Sequence, residues 1–441
     1  MVDVKELYHR KLLSIPEAVG LVRSNQTICC AMAASEPPGL EAELGRHKDR
    51  LENVRVWVCL PMREYDFVIK PEMVGHFFVE NWFYGAPDRR VHKEGRQSYV
   101  PNNLHQAARV KLEAHEKLDI FWGTATPPDK RGWMSLSLGL VIEKQMLEAA
   151  DLVVLEINEN LPWTLGDTQI HLNDVDYVVE NTCPLVQLPI VSPSAEEEAI
   201  GGYIADLIDD GATIQLGIGG IPNAITQCLH EKRDLGVHTE MFTDGMVDLY
   251  QAGVITNKKK TLWKDKMVGA FALGTQKLYD FVDNNLGVEF QQGKVTNDPH
   301  VIRQNYKMVS VNTALQVDLT GQVCSESIGS LQYSGTGGQL DTHRGAQMSP
   351  GGKGIIALRA TARGGTISTI VGQLTPGAGV TVPRQDVDYV VTEFGVTHLR
   401  GLCVKDRVEA LIAIAHPDFR HQLQEEAERL MLVPRVMVTV P

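Results

Sequence analysis

The second half of the chain restates the first, and this narrows the possible folds more than any single motif does. Residues 23–44 read RSNQTICCAMAASEPPGLEAEL, and residues 209–229 read DDGATIQLGIGGIPNAITQCL. Each runs from a polar turn through Thr-Ile and small residues to a proline, then into a helical pattern. Thr27-Ile28 and Thr213-Ile214 lie 186 positions apart, and Pro37 and Pro222 lie 185 apart. Further on, Asp174–Val179 and Asp386–Val391 are the same six residues, DVDYVV, 212 positions apart. Two correspondences in the same order, with spacing that grows along the chain, read as a duplication whose second copy carries insertions.

The repeated pieces have the pattern of α/β units. Short, nearly continuous apolar runs such as Leu152–Ile157 (LVVLEI) and Gly354–Leu358 (GIIAL) fit strands covered on both faces. They alternate with helical stretches such as Ala195–Ile208 and Phe419–Leu430. Between the copies, Leu188–Glu198 (LPIVSPSAEEE) has two prolines and two serines ahead of an acidic helix start, which is a boundary signal. The sequence thus predicts two similar α/β domains, residues 1–190 and 191–441, with the active site in the cleft between them.

Composition removes several function classes. The formal net charge is −13 and no basic stripe is present, which argues against general nucleic-acid binding. The longest cationic run, Lys258-Lys259-Lys260, reads as a solvated loop. No eighteen consecutive apolar residues occur, and the first thirty residues lack the apolar core of a signal peptide. The seven cysteines are scattered, with no C-x-x-C pair, so neither a disulfide framework nor a structural zinc site is expected. A soluble protein of the reducing cytoplasm fits these features best. An acidic chain of this kind must hold an anionic ligand with local devices such as backbone N–H groups, which directs attention to its glycine-rich turns.

Two such turns stand out. Gln215–Pro222 (QLGIGGIP) follows a predicted strand, Thr213–Leu216, and places Pro222 where a helix should begin. Glycines there admit a ligand close to the backbone, and a helix N-terminus attracts phosphate. The turn is not a dinucleotide fingerprint, because Pro222 occupies the third glycine position, and no Walker A lysine follows. The second turn, Ser334–Gly338 (SGTGG), precedes Asp341, Arg344 and Gly351-Gly352-Lys353. Three glycines in five residues point to positive φ or to close packing against a ligand.

Several ordered motifs then coincide. Gly217 leads to His238-Thr239-Glu240-Met241 and Thr243-Asp244-Gly245, followed by Thr296–Pro299, Gly321–Ile328, Gly335–Asp341 and Gly345-Ala346. Near the end come Thr392–Gly401 (TEFGVTHLRG) and Ile414–Arg420 (IAHPDFR), and the first half contributes Gly95–Leu104, Pro127–Leu138 and Asn158–Gly166. Over nearly its whole length the chain resembles the acetyl-CoA hydrolase/transferase family, with greatest likeness to its 4-hydroxybutyrate and butyryl-CoA:acetate CoA-transferases.

The resemblance implies an acyl-CoA:carboxylate CoA-transferase, acting between acetyl-CoA or acetate and 4-hydroxybutyrate or butyrate. It places the nucleophile on Glu240, in the H-T-E context, and leaves His238 a structural role. It implies oxyanion donors from the Asn297 side chain and the Gly338 backbone. Gly217, Ile218, Gly219, Gly220 and Ile221 would then lie along coenzyme A, with Lys353 reaching a CoA phosphate. A carboxylate is ordinarily ionised at neutral pH, so Glu240 should need no activating base. Losing one oxyanion donor typically raises a barrier by about 3–4 kcal/mol. No metal and no cofactor beyond the CoA thioester is expected, and the family suggests a homodimer or homotetramer. Thr342-His343 and Trp163 depart from the family pattern and are expected to reshape the acyl pocket. A short-chain acyl-CoA hydrolase on the same scaffold, a CoA- or nucleotide-binding regulator and, distantly, a nicotinamide dehydrogenase are the competing readings.

Overall fold

Both DVDYVV copies end in a strand, and both strands occupy the same place in their sheets. The computed structural model describes residues 3–115 and 117–434. The first sheet has seven parallel strands: β1 (Thr27–Cys30), β2 (Val54–Val58), β3 (Phe77–Asn81), β4 (Gln97–Tyr99), β5 (Leu118–Ala125), β6 (Ala150–Ile157) and β7 (Tyr177–Glu180). Their spatial order is β4-β3-β2-β1-β5-β6-β7. The second sheet contains β8 (Thr213–Leu216), β9 (Gly236–Val237), β10 (Met308–Thr313), β11 (Lys353–Ala357), β12 (Tyr389–Thr392) and β13 (Gly395–His398). Its order is β9-β8-β10-β11-β12-β13, parallel except for the last pair.

The order β2-β1-β5-β6-β7 is thus repeated as β9-β8-β10-β11-β12, so the internal repeat of the sequence is a repeat of topology. Register agrees: Ile28 pairs with Val56 and Ile120, and Ile214 pairs with Val237 and Val309. The repeated hexapeptide has a physical cause. Asp176 accepts a hydrogen bond from the Val153 N–H at 2.8 Å, and Asp388 accepts one from the Gly354 N–H at 3.1 Å. In each copy the aspartate closes the free backbone donor of the neighbouring strand, and the apolar residues after it enter the buried sheet.

Local signals set the helices. Residues 181–194 carry no regular structure, and the helix Ala195–Leu207 then starts at Ser194, whose capping box with Glu197 satisfies both ends of the first turn. Glu196, Glu197 and Glu198 in that turn oppose the positive end of the helix. The helix Gly220–Cys228 follows β8, with Pro222 in its first turn.

The two halves share one apolar core. A single buried cluster contains Trp57 and Phe121 from the first half together with Ile214, Phe242 and Phe290 from the second, while smaller clusters belong to each half alone. Backbone bonds cross as well: Leu140 N–H donates to Ala270, Ala272 N–H to Leu138, and Phe290 N–H to Leu165. Among the described residues no helix is long and apolar enough to cross a membrane, and all seven cysteines are free thiols.

The two equivalent aspartates should differ in cost. Asp388 is buried and also meets His398 Nε2 at 2.8 Å, whereas Asp176 is exposed and water can replace it. Asp388→Ala is expected to lower unfolding stability by about 2–3 kcal/mol, and Asp176→Ala by about 1 kcal/mol or less, as read by denaturant titration.

Candidate active site

Glu240 is held in place by its backbone before its side chain comes into play. Three residues beyond Val237 of β9, its carbonyl accepts hydrogen bonds from Ala270 N–H at 2.9 Å and Phe271 N–H at 3.1 Å. Thr239 N–H donates to Val268, and Met241-Phe242 pair with Phe271-Ala272. Lys260 supports the same segment, and here the expected solvated loop fails. Its side chain is buried, and its ammonium donates to the carbonyls of Val237 and Lys266 at 2.8 and 2.7 Å. Burial without a directly bonded carboxylate pulls its pKa down to about 7. His238 is buried too, and burial pushes its imidazole down to about 3. The neutral ring donates from Nε2 to the Thr296 carbonyl at 2.8 Å, tying the Glu240 segment to the residue before Asn297. His238 is a brace, as its sequence context implied.

The carboxylate itself is pinned by Asn297 and Gly338. Asn297, fully buried, donates from Nδ2 to Glu240 Oε2 at 2.8 Å. Gly338 caps the ten-residue helix Gln339–Met348, so the carboxylate also faces the positive end of a helix. A Cβ at Gly338 would stand 2.0 Å from both Glu240 Oε2 and Asn297 Nδ2. The glycine is therefore required by close approach, its φ of −93° being open to any residue. Gly335 answers to a similar constraint: a Cβ there would lie 2.4 Å from the Trp82 carbonyl, so the SGTGG turn packs on the first half.

Burial pushes the Glu240 carboxyl up to about 7, further raised by the nearby Asp341 and opposed by the Asn297 and Gly338 donors. The expectation of a fully ionised glutamate is thus corrected: near neutrality the free site holds both forms. The ionised form is a partly desolvated carboxylate, less shielded by water than a free one.

Glu240 faces an inner cavity of about 250 Å3. The second half contributes Gln215, Gly217, Ile218, Phe271, Asn312 and the turn Ser334–Gln339, and the first half contributes Met32, Cys59, Leu60, Phe83 and Leu104. The site lies between the halves, as the fold class implied. Cross-half contacts hold it there: Tyr99 Oη bonds to Thr336 Oγ1 at 2.7 Å, and His105 Nδ1 meets Asp341 Oδ1 at 2.9 Å. A larger outer cleft, about 940 Å3, adjoins the cavity through Phe83, Ile218, Thr313, Ser325 and Ser334.

The structure therefore brings Glu240, Asn297 and Gly338 together and sets Gly217, Ile218 and Gly219 along the cavity and cleft. It does not bring the others. Gly220 packs against the Glu197 carboxylate, and the Ile221 side chain is in the core. Lys353 begins β11, at the opposite end of the sheet from the strand ends that line the cavity. Its ammonium donates to the Leu207 carbonyl at 2.6 Å and lies 3.8 Å from Asp209. Lys353 is thus engaged at that end of the sheet and lines neither the cavity nor the cleft. Trp163 lines a separate surface cleft beside Asp283, and His343 is buried behind the site. Thr342 sits one layer below the cavity, bonded to Ser310 and Asn312.

The first-half wall was missed by sequence reasoning. Its residues are apolar and follow ordinary strands; the repeat segment 23–44, which holds Met32, and the stretch Gly95–Leu104, which holds Leu104, touched that region without pointing to a wall. Among the described residues, no group of three His, Cys, Asp or Glu side chains is disposed to hold a metal ion.

Known proteins resemble this chain over nearly its whole length. Residues 1–189 match the acetyl-CoA hydrolase/transferase N-terminal domain and residues 274–427 the C-terminal domain. The chain is 43% identical over 425 residues to the 4-hydroxybutyrate coenzyme A transferase of Clostridium kluyveri, covering 96% of this chain and 99% of the relative. It is 42% identical to the succinyl-CoA:cyclohexane-1-carboxylate CoA transferase of Geobacter metallireducens, covering 96% of each. The crystal structure of RipA from Yersinia pestis superposes with a TM-score of 0.92 at 37% identity, covering 98% of this chain and all of that one. Relatives named acetyl-CoA hydrolase match a smaller share of the chain. With both family domains matched in order and relatives above 40% identical over nearly its whole length, the chain belongs to the acetyl-CoA hydrolase/transferase family.

Proposed function

We propose that the protein is an acyl-CoA:carboxylate CoA-transferase working by a ping-pong cycle through a glutamyl-CoA thioester on Glu240. The observation that carries this reading is a half-buried glutamate, facing a cavity between the two halves and held there by a side-chain amide and a helix N-terminus. A carboxylate oxygen of Glu240 attacks the thioester carbonyl, the C–S bond breaks, and CoA leaves as thiolate. The resulting mixed anhydride is attacked at the glutamyl carbon by that thiolate, releasing the first acid as its carboxylate. The acceptor carboxylate then attacks the glutamyl-CoA thioester, and the same steps run in reverse. No electron is gained or lost, and the cycle calls for no metal or redox cofactor.

Each attack places negative charge on a carbonyl oxygen, and Asn297 Nδ2 and the Gly338 N–H are the donors already aimed at that region. The partner acids we assign are acetate and a C4 acid, 4-hydroxybutyrate or butyrate, by analogy with the Clostridium kluyveri relative and with a butyryl-CoA:acetate CoA-transferase of Anaerostipes caccae, 35% identical over 437 residues. We place the enzyme in the cytoplasm as a homodimer or homotetramer.

Incubation with butyryl-CoA should leave CoA bound to the peptide that contains Glu240, seen by mass spectrometry, and hydroxylamine should trap the same residue. Loss of acyl-CoA should require acetate. An intact rate in Glu240→Gln, or acyl-CoA loss that ignores acetate, would end the transferase reading, the second in favour of a hydrolase.

The nucleophile must be the carboxylate, so log kcat/KM should rise with pH and level off above about 7, as measured from about pH 5 to 9. Asn297 favours the charged form of Glu240, so Asn297→Ala should move that limb to higher pH and lower kcat by about 10²–10³-fold. Gly338→Ala should keep the fold, yet displace the carboxylate and cost about 10²-fold in kcat or more.

A further inference from the structure

The outer cleft contains one fixed cation that the chemistry at Glu240 does not use. Arg89, on the helix Ala86–His92 of the first half, is the sole lysine or arginine among the described residues lining either the cleft or the inner cavity. Its guanidinium lies 3.8 Å from the centre of the Tyr333 ring, and its Nε donates to the Tyr333 carbonyl at 2.6 Å. Stacking and this one bond fix its orientation, while its two terminal nitrogens make no hydrogen bond or ion pair among the described residues.

The carboxylates of the same cleft are already engaged. Asp244 accepts from the Thr275 N–H and hydroxyl, and Asp248 pairs with Lys277 at 2.7 Å. A protein with a formal net charge of −13 thus presents a held, uncompensated guanidinium on the approach to its nucleophile.

We propose that Arg89 binds a phosphate at the nucleotide end of the acyl-CoA substrate, a task for which Lys353, engaged at the Leu207 carbonyl and lining neither the cleft nor the cavity, is not placed. The proposal rests on the transferase reading. A carboxylate acid is the wrong ligand for this position, because the acid must reach Glu240 in the inner cavity, which Arg89 does not line. A phosphate carried at the far end of a long thioester satisfies both ends at once, and the planar fork of arginine matches its oxygens.

The test compares wild type with Arg89→Gln on the full chain. For butyryl-CoA with acetate, kcat/KM should fall about 10- to 100-fold, the range for a charge-assisted hydrogen bond, and Arg89→Lys should recover part of it. For butyryl-pantetheine, which has no nucleotide, the two proteins should differ little. With dephospho-CoA thioesters, a penalty that disappears assigns the 3′-phosphate, and one that persists assigns the diphosphate. Equal kcat/KM for butyryl-CoA, or an equal loss with butyryl-pantetheine, would overturn the proposal. Calorimetry with CoA separates it from the transferase reading. Weaker binding by Arg89→Gln in a protein that shows no turnover would retain the phosphate contact and sink the transferase. Equal binding, or no binding by wild type, would overturn the contact.

Discussion

The site depends on one carboxylate, held half-buried among fixed donors. Glu240 loses hydration by facing a small cavity, and that loss raises its proton affinity. The Asn297 amide and the N-terminus of the helix that begins at Gly338 return part of what water supplied, through fixed dipoles that need not reorganise as charge moves. Much of the nearby chain serves this arrangement. Lys260 and His238 are both buried to hold backbone carbonyls on either side of it, and Tyr99 and His105 reach from the first half to fix the turn and helix behind it.

The duplication explains why the site lies where it does. Val56 and Val237 hold equivalent register positions, opposite Ile28 and Ile214. Three residues beyond each come Cys59 and Glu240, and both face the same cavity. Met32 and Ile218, each four residues past the equivalent isoleucines, line it from the two sides. The two sheets thus direct equivalent strand ends toward one another, and the halves have diverged in what they present there: one the Glu240 carboxylate, the other a largely apolar wall. This is the general tendency of parallel sheets to place ligands beyond their strand C-termini, applied twice across one cleft.

Much of this was legible in the sequence where backbone geometry left a mark. The DVDYVV repeat announced equivalent strands, continuous apolar runs announced a parallel sheet, and the glycines of residues 334–338 announced a close approach. Glu240, one acid among 55 Asp and Glu, was visible only through its motif context. What stayed hidden depends on long-range packing. Nothing local distinguishes Lys353, tied down at the start of an interior strand, from Arg89, stacked on a tyrosine 244 residues away. Nor does a run of three lysines reveal that the third is buried, because its partners are carbonyls brought close by the fold.

The shared core also bears on how the chain is made. During synthesis the first half emerges with its sheet complete at Glu180, but the cluster around Trp57 and Phe121 still lacks Ile214, Phe242 and Phe290. Local pairing can finish early, whereas that apolar face stays uncovered until the ribosome has delivered residues more than a hundred positions further on. The nascent first half is therefore an incomplete folding unit, dependent on its own duplicate to shield it from aggregation.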